Sequence, residues 1–179
     1  ALPDAVRDAT ALFCFTLPEV IELRRVALEE PILALGLDPQ DVYERAVEWA
    51  IAEPDEDPDG YYIRSEAIMM EALMDTVDWD RLNAGATLLA DCVDEMYKML
   101  TAEDVELGAD YEYFVDTPYG VIGILNNPGV CFAGSQTCLL ALDLSGDDRY
   151  VDLGATTSWS NPVSVLIDLE GDDEYIQEG

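Results

Sequence analysis

The sequence predicts an α+β protein, an N-terminal helical bundle over residues 1–107 followed by the first coils of a parallel β-solenoid (β-helix) over residues 108–179. Three observations predict it. Apolar residues recur at helical spacing, between helix-capping signals, up to about Leu100. From about Tyr111 the texture changes to β-branched, aromatic and small residues punctuated by turns. Leu142 to Tyr150 then matches Ile167 to Tyr175 at nearly every informative position, 25 residues apart, and self-similarity at a fixed period points to stacked repeat units.

Pro3 and Asp4 open the first helical segment, with Ala5, Ala9, Leu12, Phe13 and Phe15 apolar. Pro18 and Glu19 start a second, through Val20, Leu23, Val26, Ala27 and Leu28, broken or kinked near Pro31 before Gly36. Asp38-Pro39-Gln40-Asp41 is a helix start: a capping carboxylate, proline at the first helical position and an acid at the positive end of the dipole. That helix carries Val42, Tyr43, Ala46, Val47, Trp49 and Ala50. Another runs from Ile63 to about Val77, and Asp78 caps a longer one to Leu100. The methionines at 69, 70, 74, 96 and 99 fit core filling at this spacing.

Past a boundary near Gly108, Val121 to Leu125 is a strand between the turns Thr117-Pro118-Tyr119-Gly120 and Asn126-Asn127-Pro128-Gly129. In the repeat, Leu140, Leu142 and Leu144, like Val165, Ile167 and Leu169, alternate with polar positions and are expected to face inward, with Gly-Asp-Asp at the corner. Residues 121–132 read as a degenerate earlier unit, Phe132 standing for the tyrosine. After Gly179 the solenoid is expected to be incomplete, capped by more chain, a protein partner or another copy.

The 179 residues include 39 acidic and 8 basic ones, a net charge of −31, with Lys98 the only lysine and no histidine. Nucleic acid and anionic membranes are excluded as partners on charge, and no apolar run is long enough to span a bilayer. Four cysteines, Cys14, Cys92, Cys131 and Cys138, are compatible with export to an oxidising compartment, with Cys131 and Cys138 the closest pair; four free buried thiols are the alternative.

Asp55-Glu-Asp-Pro-Asp-Gly-Tyr-Tyr-Ile-Arg-Ser-Glu66 sets acids at loop positions 1, 3, 5 and 12 and glycine at position 6. Calcium takes about six to eight oxygens, so such a loop must fold several carboxylates and a carbonyl onto one point. Asp55, Asp57 and Asp59 would each give one oxygen, Tyr61 its carbonyl and Glu66 two, with Gly60 making the bend. A second set comprises Asp143, Asp147 and Asp148 over Asp168, Asp172 and Asp173, which stacking brings to about 4.8 Å. Bound calcium would relieve that repulsion; the competing account is that each aspartate accepts amide hydrogen bonds at the turn and otherwise faces water.

The loop with its flanking helices resembles an EF-hand, with Pro58 at position 4 and Tyr62 at position 8 as departures and no second hand. The Asp-x-x-Gly-Asp-Asp-x-Tyr units resemble repeats of bacterial exported proteins predicted to be β-helical, and more distantly haemolysin-type calcium repeats. These resemblances imply calcium as the cofactor and export as the destination.

The function expected is therefore a calcium-stabilised exported structural or binding module, extracellular or periplasmic, one part of a larger protein or assembly. Three alternatives compete: a carbohydrate-active β-helix enzyme using paired carboxylates such as Asp147 and Asp172, a carbohydrate-binding aromatic face, and a scaffold whose acidic surface suits the cytoplasm of a salt-loving organism. No nucleophile motif accompanies the carboxylates, so no catalytic residue is assigned.

Overall fold

The structure, a computed structural model, describes residues 2–51, 72–127, 131–133, 138–151 and 163–176, and for 46–51 and 131–133 the backbone alone. The chain divides into two compact units, Thr16–Cys92, and Ala1–Phe15 with Val93–Gly179. The helical part contains α1 (Asp4–Ala34), α2 (Pro39–Ile51) and α3 (Trp79–Leu100).

The break expected at Pro18 is absent: α1 is one helix with Pro18 and Pro31 inside it. A helical proline withholds the amide that would reach the carbonyl four residues back. For Pro18 that is the carbonyl of Cys14, an exposed residue where water can substitute, while Leu17 and Val20 beside it are buried and hold the helix in place. For Pro31 it is the carbonyl of Ala27, which is fully buried. Here the backbone N–H of Asp78 donates to that carbonyl at 3.1 Å and satisfies it from another segment. The Asp78 side chain in turn accepts from the Arg81 amide at 3.1 Å, capping α3 as its sequence predicts.

Asp38 caps α2 in the same way, accepting from the Gln40 amide at 2.9 Å. α1 ends in a Schellman motif, Gly36 N–H to Leu33 O at 2.9 Å and Leu37 N–H to Ile32 O at 3.3 Å, with Gly36 at φ 76°. Within the unit Thr16–Cys92, Gly85 lets α3 approach α1 closely: a Cβ there would sit 3.4 Å from Leu23 Cβ. Buried Val20, Ala27, Leu73 and Cys92 form the apolar interior of that unit.

The strands are β1 (Tyr111–Thr117), β2 (Gly120–Asn126), β3 (Cys131–Ala133), β4 (Cys138–Asp143), β5 (Arg149–Val151), β6 (Val165–Asp168) and β7 (Glu174–Ile176). They make a four-stranded sheet in the order β1-β2-β4-β6 and a three-stranded sheet in the order β3-β5-β7. β1 and β2 are an antiparallel hairpin, closed where the Thr117 hydroxyl donates to Gly120 O at 2.7 Å. Every later pairing is parallel.

The expected fold class is corrected here. The C-terminal part is a small mixed sheet, antiparallel and then parallel, beside a three-stranded parallel one, and not the opening coils of a parallel β-solenoid. The repeat period governs only the parallel pairings; the Thr117 to Gly120 turn reverses the chain and starts the main sheet with a hairpin. The expected one-sided alternation is also corrected: every residue of β4 is buried, so both faces of this central strand are covered. Ile122, Ile124 and Leu125 of β2 join Leu139, Leu140 and Leu142 of β4 in this core. On the hairpin, Phe114 lies over Gly123, where a Cβ would come within 3.0 Å of its ring.

Candidate functional site

Parallel registry sets the repeats directly beside one another, Leu142 opposite Ile167, Asp143 opposite Asp168 and Tyr150 opposite Tyr175. Each strand pair with its corner forms one rung. The corners nest through glycine. Gly146 and Gly171 have φ of 143° and 151°, a region that L side chains rarely enter, and a Cβ on Gly171 would fall 1.6 Å from the carbonyl oxygen of Gly146. The Gly146 N–H donates to Glu170 O at 3.0 Å, and the Glu174 N–H to Asp148 O at 2.8 Å.

Within each rung an aspartate closing one strand meets a tyrosine opening no part of that strand but seven residues on, in the other sheet. The Tyr150 hydroxyl donates to Asp143 Oδ2 at 2.8 Å, and the Tyr175 hydroxyl to Asp168 Oδ2 at 2.5 Å. The two rings stack with centroids 5.0 Å apart and planes 19° from parallel. Asp143 is 0% exposed and Tyr150 1%, so this pair is sealed inside the protein. One rung earlier, Leu125 stands opposite Asp143 and Phe132 opposite Tyr150. Sequence thus replaces the polar pair by an apolar one at the same seven-residue spacing, so neither partner there lacks a polar mate.

Burial is the main cause that pushes the Asp143 carboxyl up to about 6. The Tyr150 hydrogen bond pulls the other way, and the carboxylates of Asp148 and Asp168 add to the rise. Asp168 is raised for the same leading reason, with Asp173 reinforcing it and the Tyr175 bond opposing it. Tyr175 is pushed up to about 12, first by its hydrogen bond to Asp168, and burial lifts Tyr150 well above the usual phenol range. Among the described residues the buried side-chain oxygens Asp143 Oδ1 and Asp168 Oδ1 have no hydrogen-bond partner.

The remaining corner acids work between rungs. Asp147 Oδ1 accepts from the Asp172 amide at 3.0 Å, and Asp173 Oδ1 accepts from the Asp148 amide at 2.8 Å. Asp147 and Asp172 are exposed, whereas Asp148 is buried. The expected account, an aspartate that accepts an amide and otherwise faces water, fits Asp147; Asp172 is exposed, while Asp143 and Asp148 are buried, which corrects it for them. Asp147 and Asp173 thus accept amides across rungs, and Asp143 and Asp168 accept phenols within them. Among the described residues no group of three or more acidic or cysteine side chains is arranged to hold a metal ion.

Asp55, Asp57, Asp59, Tyr61 and Glu66 lie outside the described residues, as does the Cys131 side chain and with it the expected pairing with Cys138. Cys14 is exposed and Cys92 buried, which corrects the expectation of four buried thiols. Sequence reading found the repeat but missed the hydrogen bond inside it. The available signal was the joint change of Asp to Leu and Tyr to Phe between rungs. Among the described residues no helix is long and apolar enough to cross a membrane. No protein-family model, no curated protein and no solved structure matches the chain.

Proposed function

We propose that the chain is a structural and binding module whose parallel repeats stack around a sealed aspartate–tyrosine bond in the middle rung. The observation that carries this reading is the complete burial of the Asp143 and Tyr150 pair. A carboxyl and a phenol at hydrogen-bond distance also suit acid–base chemistry, but a catalytic group must reach substrate, and 0% exposure bars Asp143 from it. The pair weighed as an enzyme's carboxylates, Asp147 and Asp172, is engaged side chain to backbone amide on an exposed corner. Tyr150→Phe tests the reading: it leaves a buried acceptor without its donor, and a melting temperature equal to that of the unaltered protein would end it.

Calcium enters through Asp55 to Glu66, whose acidic spacing, in a chain of net charge −31, is the observation that favours it. Binding only the folded chain, calcium raises stability by mass action. The test is thermal melting with calcium, with chelator and with salt alone, on the native chain and on Asp55→Asn with Glu66→Gln. Calcium stabilisation confined to the native chain is expected; stabilisation by salt alone, equal in both, points to simple charge screening. Export to an extracellular or periplasmic compartment belongs to the same proposal.

A further inference from the structure

The middle rung is covered by the rung that follows it, and the last rung is not covered in the same way. Tyr150 is 1% exposed, whereas its register partner Tyr175 is 60% exposed. Leu142 and Asp143 are buried, whereas Ile167 and Asp168 are only half-buried. What covers the middle rung has definite chemistry. It brings parallel strands to both sheets, a glycine corner that nests on Gly146, an amide for Asp147, a ring for Tyr150 and a carboxylate that Arg149 meets at 3.3 Å from Glu174.

β6 and β7 each form one edge of their sheet, β1 and β3 the other. The β6–β7 edge presents the same set outward: the Tyr175 ring, the exposed Asp172, a glycine corner at Gly171 and the exposed acid Glu174. A segment that repeats the contact already made between the two preceding rungs is parallel, carries glycine at its corner, and gains from a basic residue opposite Glu174. Among the described residues, the opposite edge of the four-stranded sheet is antiparallel β1, which does not offer a second copy the parallel partner that β4 gives β6.

We infer that the β6–β7 edge is a docking surface for a parallel strand–corner–strand segment of another polypeptide, bearing an apolar-Asp-apolar strand, a corner glycine, a basic residue and an aromatic ring. This rests on the structural-module reading and extends an interface already present between the two preceding rungs.

The probe is a labelled synthetic peptide of the sequence Leu139 to Val151, which puts Arg149 opposite Glu174, added to the full chain and followed by fluorescence anisotropy. Saturable binding is expected, weakened at least about tenfold by Tyr175→Ala in the protein and likewise by Gly146→Val in the peptide. Absence of binding, or equal binding by the Gly146→Val peptide, overturns the inference. So does sedimentation of the chain alone as a dimer that Tyr175→Glu dissociates, since a second copy then fills the edge. The protein variants keep Asp143 and Tyr150. A failure here with Tyr150→Phe still destabilising removes only the docking surface, whereas a neutral Tyr150→Phe removes the module reading beneath it.

Discussion

The Tyr150 hydroxyl holds Asp143 Oδ2 at 2.8 Å in a rung where neither residue is more than 1% exposed. Removing a donor from a buried acceptor costs more than the bond itself contributes, because the carboxyl stays desolvated. Tyr150→Phe is therefore expected to lose about 1–3 kcal/mol in chemical denaturation.

Replacing both partners has a different outcome. Asp143→Leu with Tyr150→Phe recreates the combination found at Leu125 and Phe132, and two apolar groups leave nothing unsatisfied. The double variant is expected to be more stable than either single one, a coupling that a double-mutant cycle measures directly.

Acid should strengthen this fold before it weakens it. Asp143 is raised from 3.8 to about 6 in the folded state, so its stabilising contribution is fully present below about pH 3.8 and is lost as pH rises through about 6. Asp168 is shifted in the same direction. A rise from 3.8 to about 6 places on the order of 3 kcal/mol between the two ends of that window. Stability measured from pH 7 down to 5 is expected to increase, and Asp143→Asn to flatten that rise.

Two glycines should respond to alanine very differently. Gly36 has a φ of 76° with open space around it, so Gly36→Ala meets only the backbone penalty of about 1–2 kcal/mol. Gly171→Ala adds a collision with the Gly146 carbonyl at 1.6 Å, and its loss should exceed about 4 kcal/mol. Melting curves of the two variants make the comparison.

Local signals in the sequence read the helix starts well, because a capping aspartate acts within a turn: Asp38 and Asp78 stand where they were expected. The Asp143 to Tyr150 repeat set the parallel register, since a matched strand and corner pair best with their own kind. Pro18 misled because helix propensity counts the lost amide and not the burial of Leu17 and Val20 around it. The solenoid expectation failed at Thr117 to Gly120, where a four-residue turn outweighed the trend of the repeats that follow. Burial of Asp143 was illegible because an aspartate inside the protein and one in water look alike in a sequence; only the seven-residue link to tyrosine separates them.

The Asp78 amide that satisfies Ala27 also closes a chain segment 51 residues long. Asp55 to Glu66 falls within that span. Bringing distant ends together costs an entropy that grows only slowly with length but is largest at the first closure. Pro31, by leaving a buried carbonyl for Asp78 to occupy, thus makes closure of the span a property of the folded helices. A cation meeting the acidic loop would not have to supply the entropy of that closure from its own binding energy.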